Sequence, residues 1–470
     1  MSAAKSISVA AVDLGATSGR VFNVKWDGSR LDLKEAHRFF HGFERLGKHY
    51  YWQPGNLFRE IVNGLQACCR EFPDTVSCGV DTWGVDCALI LKDGRLAHPV
   101  YAYRDERTRP LMPDPDSAEA KDVYARTGIP PVVYNTSIQL AETLTAMPAL
   151  RESVSQCLLL PDLINYFLCG VIRNEVSIAS TGQLLSLDTL GFDSLTLKRY
   201  GIPTDWFNGP ALAGEQLGTV KEEKGLDNLM VSLVPGHDTS CAFEGAPGAT
   251  DNDFIVSTGT WVLAGCFSDK AFPAEAGLAG GISHERCGDG KFRPTKIILG
   301  LWLVEKVLES FQAKPSSAEE WMQLDEAVAA TAMPDYVLDT SDTGLFNPKD
   351  MQEAIDAQLD ARGLTKPQSL PAYLRLAAES VGQSIADSMQ NFEAALGKSF
   401  ERIVLIGGGA KNPILCNAIA QRAKRKVFAF PTEAAVIGNA AYQFKAMGAI
   451  DSIEDFRAQL VDQIEPRIFE

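Results

Sequence analysis

The chain has 470 residues, more than one hydrophobic core usually supports, and this length predicts two domains. Hydrophobic residues make up 46% and charged residues 22%, a balance typical of globular proteins in solution. The net charge of −16 argues against binding to nucleic acid or to an anionic membrane, because both need clusters of Lys and Arg.

The first residues, MSAAKSISVAAVDLG, contain no long apolar run, because Asp13 interrupts them. We therefore expect neither a signal peptide nor a transmembrane helix. The ten cysteines include no C-x-x-C pair, which argues against a zinc site or a thioredoxin-like motif. Their scatter is typical of core thiols in a reducing compartment, so the sequence predicts a cytoplasmic protein.

The segment VAAVDLGATSGRVFNVKW predicts a strand, a tight loop and a second strand. Gly15 and Gly19 allow a tight turn or a close approach of the backbone. Asp13 stands near the end of an apolar run, where a carboxylate is costly to bury unless it meets a cation or a donor. An ordinary hairpin, with Asp and Thr satisfying turn amides, explains the segment equally well.

The rest of the first half predicts alternating strands and helices, and hence the mixed α/β class. Strands are predicted in SISVAAVDLG, SGRVFNVKW, LDLKEAHRF and, as two segments around a turn, VSCGVDTWGVDCALI. Helices are predicted in NLFREIVNGLQACCREF, DSAEAKDVYARTG (ending at Gly128), SIQLAETLTAMPALRES and LLLPDLINYFLCG.

The motif GVDTWGVD brings two carboxylates, Asp81 and Asp86, close to Trp83. Carboxylates beside an aromatic face are a common arrangement for binding sugar hydroxyls, although a buried Trp flanked by turn aspartates fits as well. Arg104 and Arg107 in YAYRDERTR are either partners of these aspartates or part of a solvated basic turn.

The segment LVPGHDTSCAFEG places His237, Asp238 and Thr239 between a Pro–Gly break and a helical pattern. By itself, Asp238 reads as a helix N-cap, which is a common role. The same position suits a general base for phosphoryl transfer, because the helix dipole keeps the carboxylate ionised. We place the domain boundary near residues 236–245, although composition does not mark it.

The second half begins with DFIVSTGTWVLAGCF, which resembles the first hairpin and suggests a weak internal repeat. LPAYLRLAAESVGQSIADSMQNFEAAL predicts one long helix or two.

The strongest local signal is IVLIGGGAKNPIL, in which Gly407, Gly408 and Gly409 separate a strand from a helix that Asn412 can cap. Strand, glycine loop and helix start together indicate a nucleotide site, and a plain turn would not need three glycines. The loop is neither a Walker A motif nor a dinucleotide fingerprint, and LGKSF elsewhere lacks the first Walker glycine.

These motifs, in this order along nearly the whole chain, resemble the FGGY carbohydrate kinases of the actin-like ATPase superfold. DTWGVD, HDT and GLWL point to the rhamnulokinase branch of that family. The resemblance implies two ribonuclease-H-like domains, residues 1–240 and 241–470, that close on an interdomain cleft.

The resemblance also implies the site residues. Asp238 matches the catalytic base and Asp13 the carboxylate near Mg²⁺. The matched sugar contacts are Gly84, His237, Asp238 and Thr239. The matched nucleotide contacts are Ala16, Thr17, Ser18, Gly19 and Arg20 in the first loop, Thr260 in the second, and Glu305, Gly408 and Gly409.

The implied reaction is transfer of the ATP γ-phosphate to the primary hydroxyl of a small ketose, with L-rhamnulose as the expected substrate. L-fuculose, L-ribulose and D-xylulose are alternatives, and an actin- or Hsp70-like ATPase or a sugar sensor with an inactive kinase fold are more distant ones. Ile297 and Glu305 stand where the rhamnulokinase branch tends to have Asn and Gln, which leaves the ketose open. The sequence does not predict the oligomeric state.

Overall fold

The computed structural model describes residues 6–470, which form two compact units. Unit 1 takes in the described residues up to Gly248, together with Phe267–Pro294 and Glu433–Gln463. Unit 2 consists of Ala249–Cys266, Thr295–Thr432 and Ile464–Glu470. Each unit has its own strands and helices, which confirms the mixed α/β class.

The strands are β1 (Ile7–Leu14), β2 (Ser18–Trp26), β3 (Leu31–Phe40), β4 (Phe43–Leu46), β5 (His49–Trp52), β6 (Thr75–Thr82), β7 (Cys87–Leu91), β8 (Val154–Leu159), β9 (Gln216–Thr219), β10 (Met230–Ser232), β11 (Asp253–Thr258), β12 (Trp261–Gly265), β13 (Ile282–Arg286), β14 (Phe292–Leu299), β15 (Arg402–Gly407), β16 (Val427–Phe430) and β17 (Arg467–Phe469). The helices are α1 (Pro54–Glu71), α2 (Ala118–Thr127), α3 (Thr136–Ala146), α4 (Leu150–Ser153), α5 (Leu160–Cys169), α6 (Val176–Ala179), α7 (Ser194–Arg199), α8 (Asp238–Glu244), α9 (Ala274–Gly280), α10 (Leu301–Ser310), α11 (Ala318–Ala330), α12 (Met351–Ala361), α13 (Leu370–Leu396), α14 (Pro413–Ala423), α15 (Ala434–Ala446) and α16 (Ile453–Leu460).

The sheet of unit 1 has six strands in the order β3-β2-β1-β6-β10-β9. β1 and β2 form an antiparallel hairpin, and β1 pairs in parallel with β6. β1 is apolar and almost fully buried, as expected for a central strand covered on both faces. This arrangement brings the carboxyl ends of β1 and β6 to one edge of the sheet, with Asp13 opposite Asp81.

The second large sheet has the order β13-β14-β12-β11-β15-β16-β17, and five of its strands lie wholly within unit 2. β11 and β12 again form an antiparallel hairpin, and β11 again pairs in parallel with a later strand, β15. The two predicted hairpins are therefore present, each with a parallel strand beside its first strand.

The predicted elements are confirmed with two differences in extent. The segment predicted as one helix over 137–153 is split into α3 and α4, because Pro148 has no amide hydrogen to continue the helix. Leu158 and Leu159 belong to β8, and α5 begins only at Leu160. The long apolar-periodic segment is the single 27-residue helix α13.

The compact units do not follow a single cut of the chain at residue 240. Residues 433–463 return to unit 1, because α15 packs against β1 and α8, and both of these elements lie in that unit. The division into 1–240 and 241–470 stays a prediction about sequence domains.

All ten cysteines are free thiols, and eight of them are buried. Within residues 6–470, no helix has the combination of length and apolar content that crossing a bilayer requires.

Candidate active site

Asp238 is the first residue of α8 and lies at the end of a short turn. Its side chain is 29% exposed, so a substrate can reach it, and its Oδ1 accepts hydrogen bonds from the Thr239 amide at 2.5 Å and the Thr239 hydroxyl at 3.1 Å. The N-cap position belongs to His237, which makes no side-chain cap bond. The structure therefore does not give Asp238 the N-cap role that the sequence also allowed.

The pKa of Asp238 lies above that of an ordinary aspartate. Burial raises this pKa, His237 lowers it, and the charge of Asp13 raises it further. A partly exposed carboxylate with a raised pKa is suited to accept a proton from a bound hydroxyl group.

The turn before Asp238 is fixed by residues from distant parts of unit 1. The Gly236 amide donates to Oε2 of Glu175 at 2.8 Å, and the His237 amide donates to Oγ of Ser177 at 3.3 Å. The Gly236 carbonyl accepts from the Thr82 amide at 2.8 Å. These bonds tie the start of α8 to the end of β6 and to the start of α6.

Asp13 meets the cation that its burial requires. Nη2 of Arg20 donates to Oδ2 of Asp13 at 2.5 Å, and Nη1 of the same guanidinium donates to Oε2 of Glu433 at 2.7 Å. Burial disfavours the charged guanidinium, but Asp13 and Glu433 outweigh it and raise the pKa of Arg20. Glu433 was not predicted as a site residue, and no local pattern marks it.

Asp81 is completely buried beside Asp13. Its Oδ2 accepts from Nδ2 of Asn439 at 2.6 Å, whereas its Oδ1 has no hydrogen-bond partner in the described chain. Burial raises the pKa of Asp81 well above its usual range, and the charges of Asp13 and Asp238 add to this rise. Three carboxylates thus influence one another at this edge of the sheet.

The predicted aromatic and acidic motif is a buried network around Asp86. Oδ2 of Asp86 accepts from the indole nitrogens of Trp52 at 2.5 Å and Trp83 at 2.8 Å. Burial raises the pKa of Asp86 to about 7, although both indoles oppose the shift. Asp86 is therefore held by the core, while Gly84 nearby is half-buried and lies against Thr181.

The arginines that follow this motif do not pair with Asp81 or Asp86. Arg107 forms an ion pair with Glu142 and donates to the Gln139 carbonyl at 3.0 Å, and Arg104 donates to the Tyr103 hydroxyl at 3.1 Å. The pairing alternative for Arg104 and Arg107 is therefore wrong. Arg104 meets its neighbour within the motif, whereas the partners of Arg107 lie on α3, which the motif alone could not identify.

The first predicted phosphate loop is shorter than the sequence pattern suggests. Ser18, Gly19 and Arg20 belong to β2, so the turn itself is residues 15–17, closed by a 3.0 Å bond from the Gly15 amide to the Ser18 carbonyl. Ala16 is half-buried and Thr17 is exposed, and both are accessible to a ligand. Gly19 has a packing role, because a Cβ there would lie 2.3 Å from the ring of Phe39.

In unit 2, the turn between β11 and β12 exposes Gly259 and Thr260. The carbonyls of Gly259 and Thr260 accept from the amides of Leu301 and Trp302, both at 3.1 Å. The turn therefore rests against the first residues of α10, with Gly300 in close contact.

The glycine loop forms as predicted, between β15 and α14. Asn412 caps α14 through its Oδ1, which accepts from the amides of Ile414 at 2.9 Å and Leu415 at 3.0 Å. The Gly409 amide donates to Oγ1 of Thr258 at 2.9 Å, so the loop is fastened to the second hairpin. Local capping and turn chemistry explain why the sequence identified this element correctly.

The three glycines of the loop have different roles. A Cβ on Gly407 would lie 2.4 Å from the Thr258 carbonyl, and one on Gly409 would lie 2.7 Å from Oγ1 of Thr258. Gly408 is exposed, and a Cβ there would meet only ordinary contacts, the nearest at 3.8 Å. Close packing thus explains why positions 407 and 409 are glycines, but it does not require a glycine at position 408. A ligand bound at the loop would explain the glycine at position 408.

An apolar recess lies beside the glycine loop in unit 2, formed by α10, α11, α13 and the start of α14. Its lining includes Leu301, Val304, Trp321, Asp325 and Ile414. The lining is mainly apolar, with Asp325 and Asn412 as its polar side chains.

The two residues at which this sequence departs from the rhamnulokinase pattern, Ile297 and Glu305, lie in unit 2. Glu305 is exposed on α10, and Ile297 is an exposed apolar residue on β14, with 47% of its surface accessible.

Comparison with known families matches both halves of the chain. The model of the N-terminal domain of the FGGY family of carbohydrate kinases matches residues 8–243, and that of the C-terminal domain matches residues 254–447. A rhamnulokinase from Enterobacter sp. (strain 638) is 32% identical over 451 residues, which cover 95% of this chain and 91% of that protein.

Solved structures match the fold at low sequence identity. A gluconate kinase from Lactobacillus acidophilus superposes with a TM-score of 0.81 at 13% identity, covering 99% of this chain and 94% of that one. A Plasmodium falciparum glycerol kinase with ADP gives a TM-score of 0.82 at 15% identity, covering 98% and 94%. These neighbours confirm the predicted actin-like ATPase fold.

Proposed function

Because the chain belongs to the FGGY family of carbohydrate kinases, we propose that it transfers the γ-phosphate of ATP to the primary hydroxyl of a ketose, with L-rhamnulose as the substrate. The observation that carries the proposal is the partly exposed carboxylate of Asp238 at the start of α8, with Asp13 and Asp81 nearby in the same unit. The similarity to a rhamnulokinase supports the choice of ketose.

In the proposed reaction, Asp238 takes the proton of the primary hydroxyl as that oxygen forms a bond to the γ-phosphorus. The bond between the γ-phosphorus and the oxygen bridging it to the β-phosphate breaks, and ADP leaves with that oxygen and its electron pair. The Thr239 amide and hydroxyl keep the Asp238 carboxylate in place. His237, Thr239 and Gly84 contact the sugar in this proposal.

The acidic edge of the unit 1 sheet fits a magnesium ion. Magnesium prefers carboxylate and water oxygens, and Oδ1 of Asp81 is a buried oxygen without a partner in the described chain. Asp13, with Asp81 beside it, would hold the ion through water, and Arg20 orients the Asp13 carboxylate. When bound, the ion would neutralise charge on the phosphate oxygens.

The nucleotide contacts of the proposal lie on both hairpin turns and on the glycine loop. In the first turn, Ala16 and Thr17 are accessible to the nucleotide, and Ser18, Gly19 and Arg20 follow them in β2. In the second turn, Thr260 is exposed. In the glycine loop, Gly408 and Gly409 adjoin the adenosine in this proposal. We place the base beside the apolar recess, on the side of α10, where the exposed Glu305 follows Val304 of the lining.

Replacing Gly408 with Val is expected to weaken ADP binding while leaving the fold intact. The added side chain meets no protein atom closer than ordinary contact at its Cβ, so it occupies space that the nucleotide would use. We expect the dissociation constant for ADP to rise by about tenfold or more, measured by isothermal titration calorimetry. The matched variant Gly407→Val should instead lower the melting temperature, because Gly407 has a φ of 83° and touches the Thr258 carbonyl. Unchanged ADP affinity in Gly408→Val would contradict this placement of the adenosine.

The choice of ketose is tested by ADP release with a panel of sugars. L-rhamnulose is expected to give the highest kcat/KM, ahead of L-fuculose, L-ribulose and D-xylulose. A higher value with another ketose would overturn the choice of substrate and retain the reaction. ATP hydrolysis that no ketose stimulates would overturn the proposed function and favour an actin- or Hsp70-like ATPase.

If another ketose is preferred, Ile297→Asn is the first substitution to make, because the rhamnulokinase pattern has an Asn near the sugar at this position.

A further inference from the structure

Two buried side chains of unit 1, Glu285 and Arg293, lie against the Nδ1 side of the His237 ring. Nδ1 of His237 is 2.9 Å from Oε2 of Glu285, and the same oxygen forms an ion pair with Nη2 of Arg293. Nη2 of Arg293 also lies 3.0 Å from Nδ1 of His237. Arg293 has no exposed surface, and His237 and Glu285 are less than a tenth exposed.

Glu285 is ionised in this environment. Burial alone would raise its pKa, but the charge of Arg293 and the hydrogen bonds from Arg293 and His237 outweigh burial and lower the pKa of Glu285 to about 2. An ionised carboxylate only accepts hydrogen bonds, so the Glu285 oxygen at 2.9 Å favours a hydrogen on Nδ1 of His237. Nη2 of Arg293, 3.0 Å from Nδ1, can only donate and would favour the opposite tautomer. Glu285 is therefore the group that selects a hydrogen on Nδ1.

The other ring nitrogen of His237 faces the catalytic side. Nε2 lies 3.5 Å from Oδ1 of Asp238. When Nδ1 carries the hydrogen of a neutral imidazole, Nε2 presents a lone pair. His237 and Asp238 then offer two neighbouring acceptors, which suits a substrate with two adjacent hydroxyl groups.

We propose that Glu285, held by Arg293, is a positioning residue that fixes the Nδ1-protonated tautomer and the ring orientation of His237, so that Nε2 accepts a hydrogen bond from a hydroxyl of the sugar. This inference rests on the proposed function, because it assigns the sugar to this face of His237. Glu285 touches neither the sugar nor the nucleotide in this arrangement, and it acts through His237.

The competing explanation is that the ion pair only joins β13 to β14, the strands that carry Glu285 and Arg293. Buried ion pairs often contribute little net stability, so their presence does not by itself decide between the two roles. The tautomer of His237 separates the roles, because a purely structural pair would leave it unchanged.

The decisive variant is Glu285→Met, which has a similar shape but no oxygen to accept from Nδ1. Nη2 of Arg293 then remains beside Nδ1 of His237, and Arg293 can only donate. The hydrogen of His237 should therefore move to Nε2, and a hydroxyl-accepting nitrogen becomes a donor. Glu285→Asp keeps the charge and should restore part of the lost function.

The tautomer is measured on the full chain by long-range ¹H–¹⁵N correlation of ¹⁵N-labelled histidine, with the His237 signals assigned by their absence in His237→Gln. We expect a protonated Nδ1 and an unprotonated Nε2 in the unchanged protein, and a protonated Nε2 in Glu285→Met. A protonated Nε2 in the unchanged protein, whatever the state of Nδ1, or the same tautomer in both proteins, overturns the proposal. This readout does not depend on kinase activity.

Kinetics provide the second readout. Glu285→Met should lower kcat/KM for the ketose by about tenfold, because a sugar hydroxyl would lose its acceptor and face a donor instead, and it should leave the KM for ATP unchanged. The matched control is Glu379→Met, which removes another buried carboxylate paired with arginines, Arg375 and Arg422, but in unit 2. Equal kinetic losses in both variants would indicate a stability effect and overturn the proposal. If the unchanged protein phosphorylates no ketose, the proposed function fails, and the histidine spectra still decide the tautomer.

Discussion

Asp238→Asn is expected to abolish phosphoryl transfer to the ketose while ADP binding stays near that of the unchanged protein. The amide has nearly the same shape but cannot take the proton of the hydroxyl, and loss of a general base lowers rates by about 10² to 10⁴. Because Oδ1 of the amide can still accept from Thr239, the start of α8 should keep its conformation. Activity is measured by coupled ADP release and binding by calorimetry.

The matched control is Asp227→Asn, an exposed aspartate of unit 1, which should leave the rate unchanged. If the Asp238 variant keeps more than about a tenth of the activity, Asp238 is not the general base, because that loss is smaller than such a group supplies.

The pH profile provides a further check on Asp238. The base acts when ionised, and its pKa is raised, so kcat/KM should fall with decreasing pH at a value above the usual range of an aspartate. An acidic limb at or below the ordinary aspartate pKa would contradict the environment described for this carboxylate.

Local features of the site could be predicted from the sequence. The hairpin turns, the glycine loop and the Asn412 cap depend on residues close together in the chain, where turn and capping chemistry act directly. The start of a helix at Asp238 follows from the Pro–Gly break just before it. These elements appear where the patterns placed them, within one or two residues.

Partners from distant segments could not be predicted. Glu433 meets Arg20 and Asn439 meets Asp81 only because α15 returns to the sheet of unit 1. The pair of Glu285 and Arg293 likewise depends on the register of two strands. Residue type and spacing describe local structure, whereas these contacts depend on which elements pack together. The sequence around a carboxylate or amide in a helix does not indicate which distant residue it will contact.

Gly438→Val is expected to destabilise unit 1 and to reduce activity through α8. The helices α8 and α15 approach so closely that a Cβ on Gly438 would lie 1.9 Å from the carbonyl oxygen of Cys241, and one on Gly245 would lie 2.0 Å from the Ala434 carbonyl. These are backbone atoms, so no change of rotamer relieves the overlap. The helices must separate, at a cost of about 3 kcal/mol or more.

The displacement should reach the catalytic groups, because α8 begins with Asp238 and α15 carries Asn439, the partner of Asp81. We therefore expect a lower melting temperature together with a reduced kcat/KM, measured by calorimetry and ADP release. Gly55→Val is the matched control, since a Cβ there meets no atom within 4 Å, and it should lower neither quantity. If Gly438→Val keeps both its melting temperature and its activity, α8 and α15 can move apart freely, and the close packing of these helices does not hold Asp238 in place.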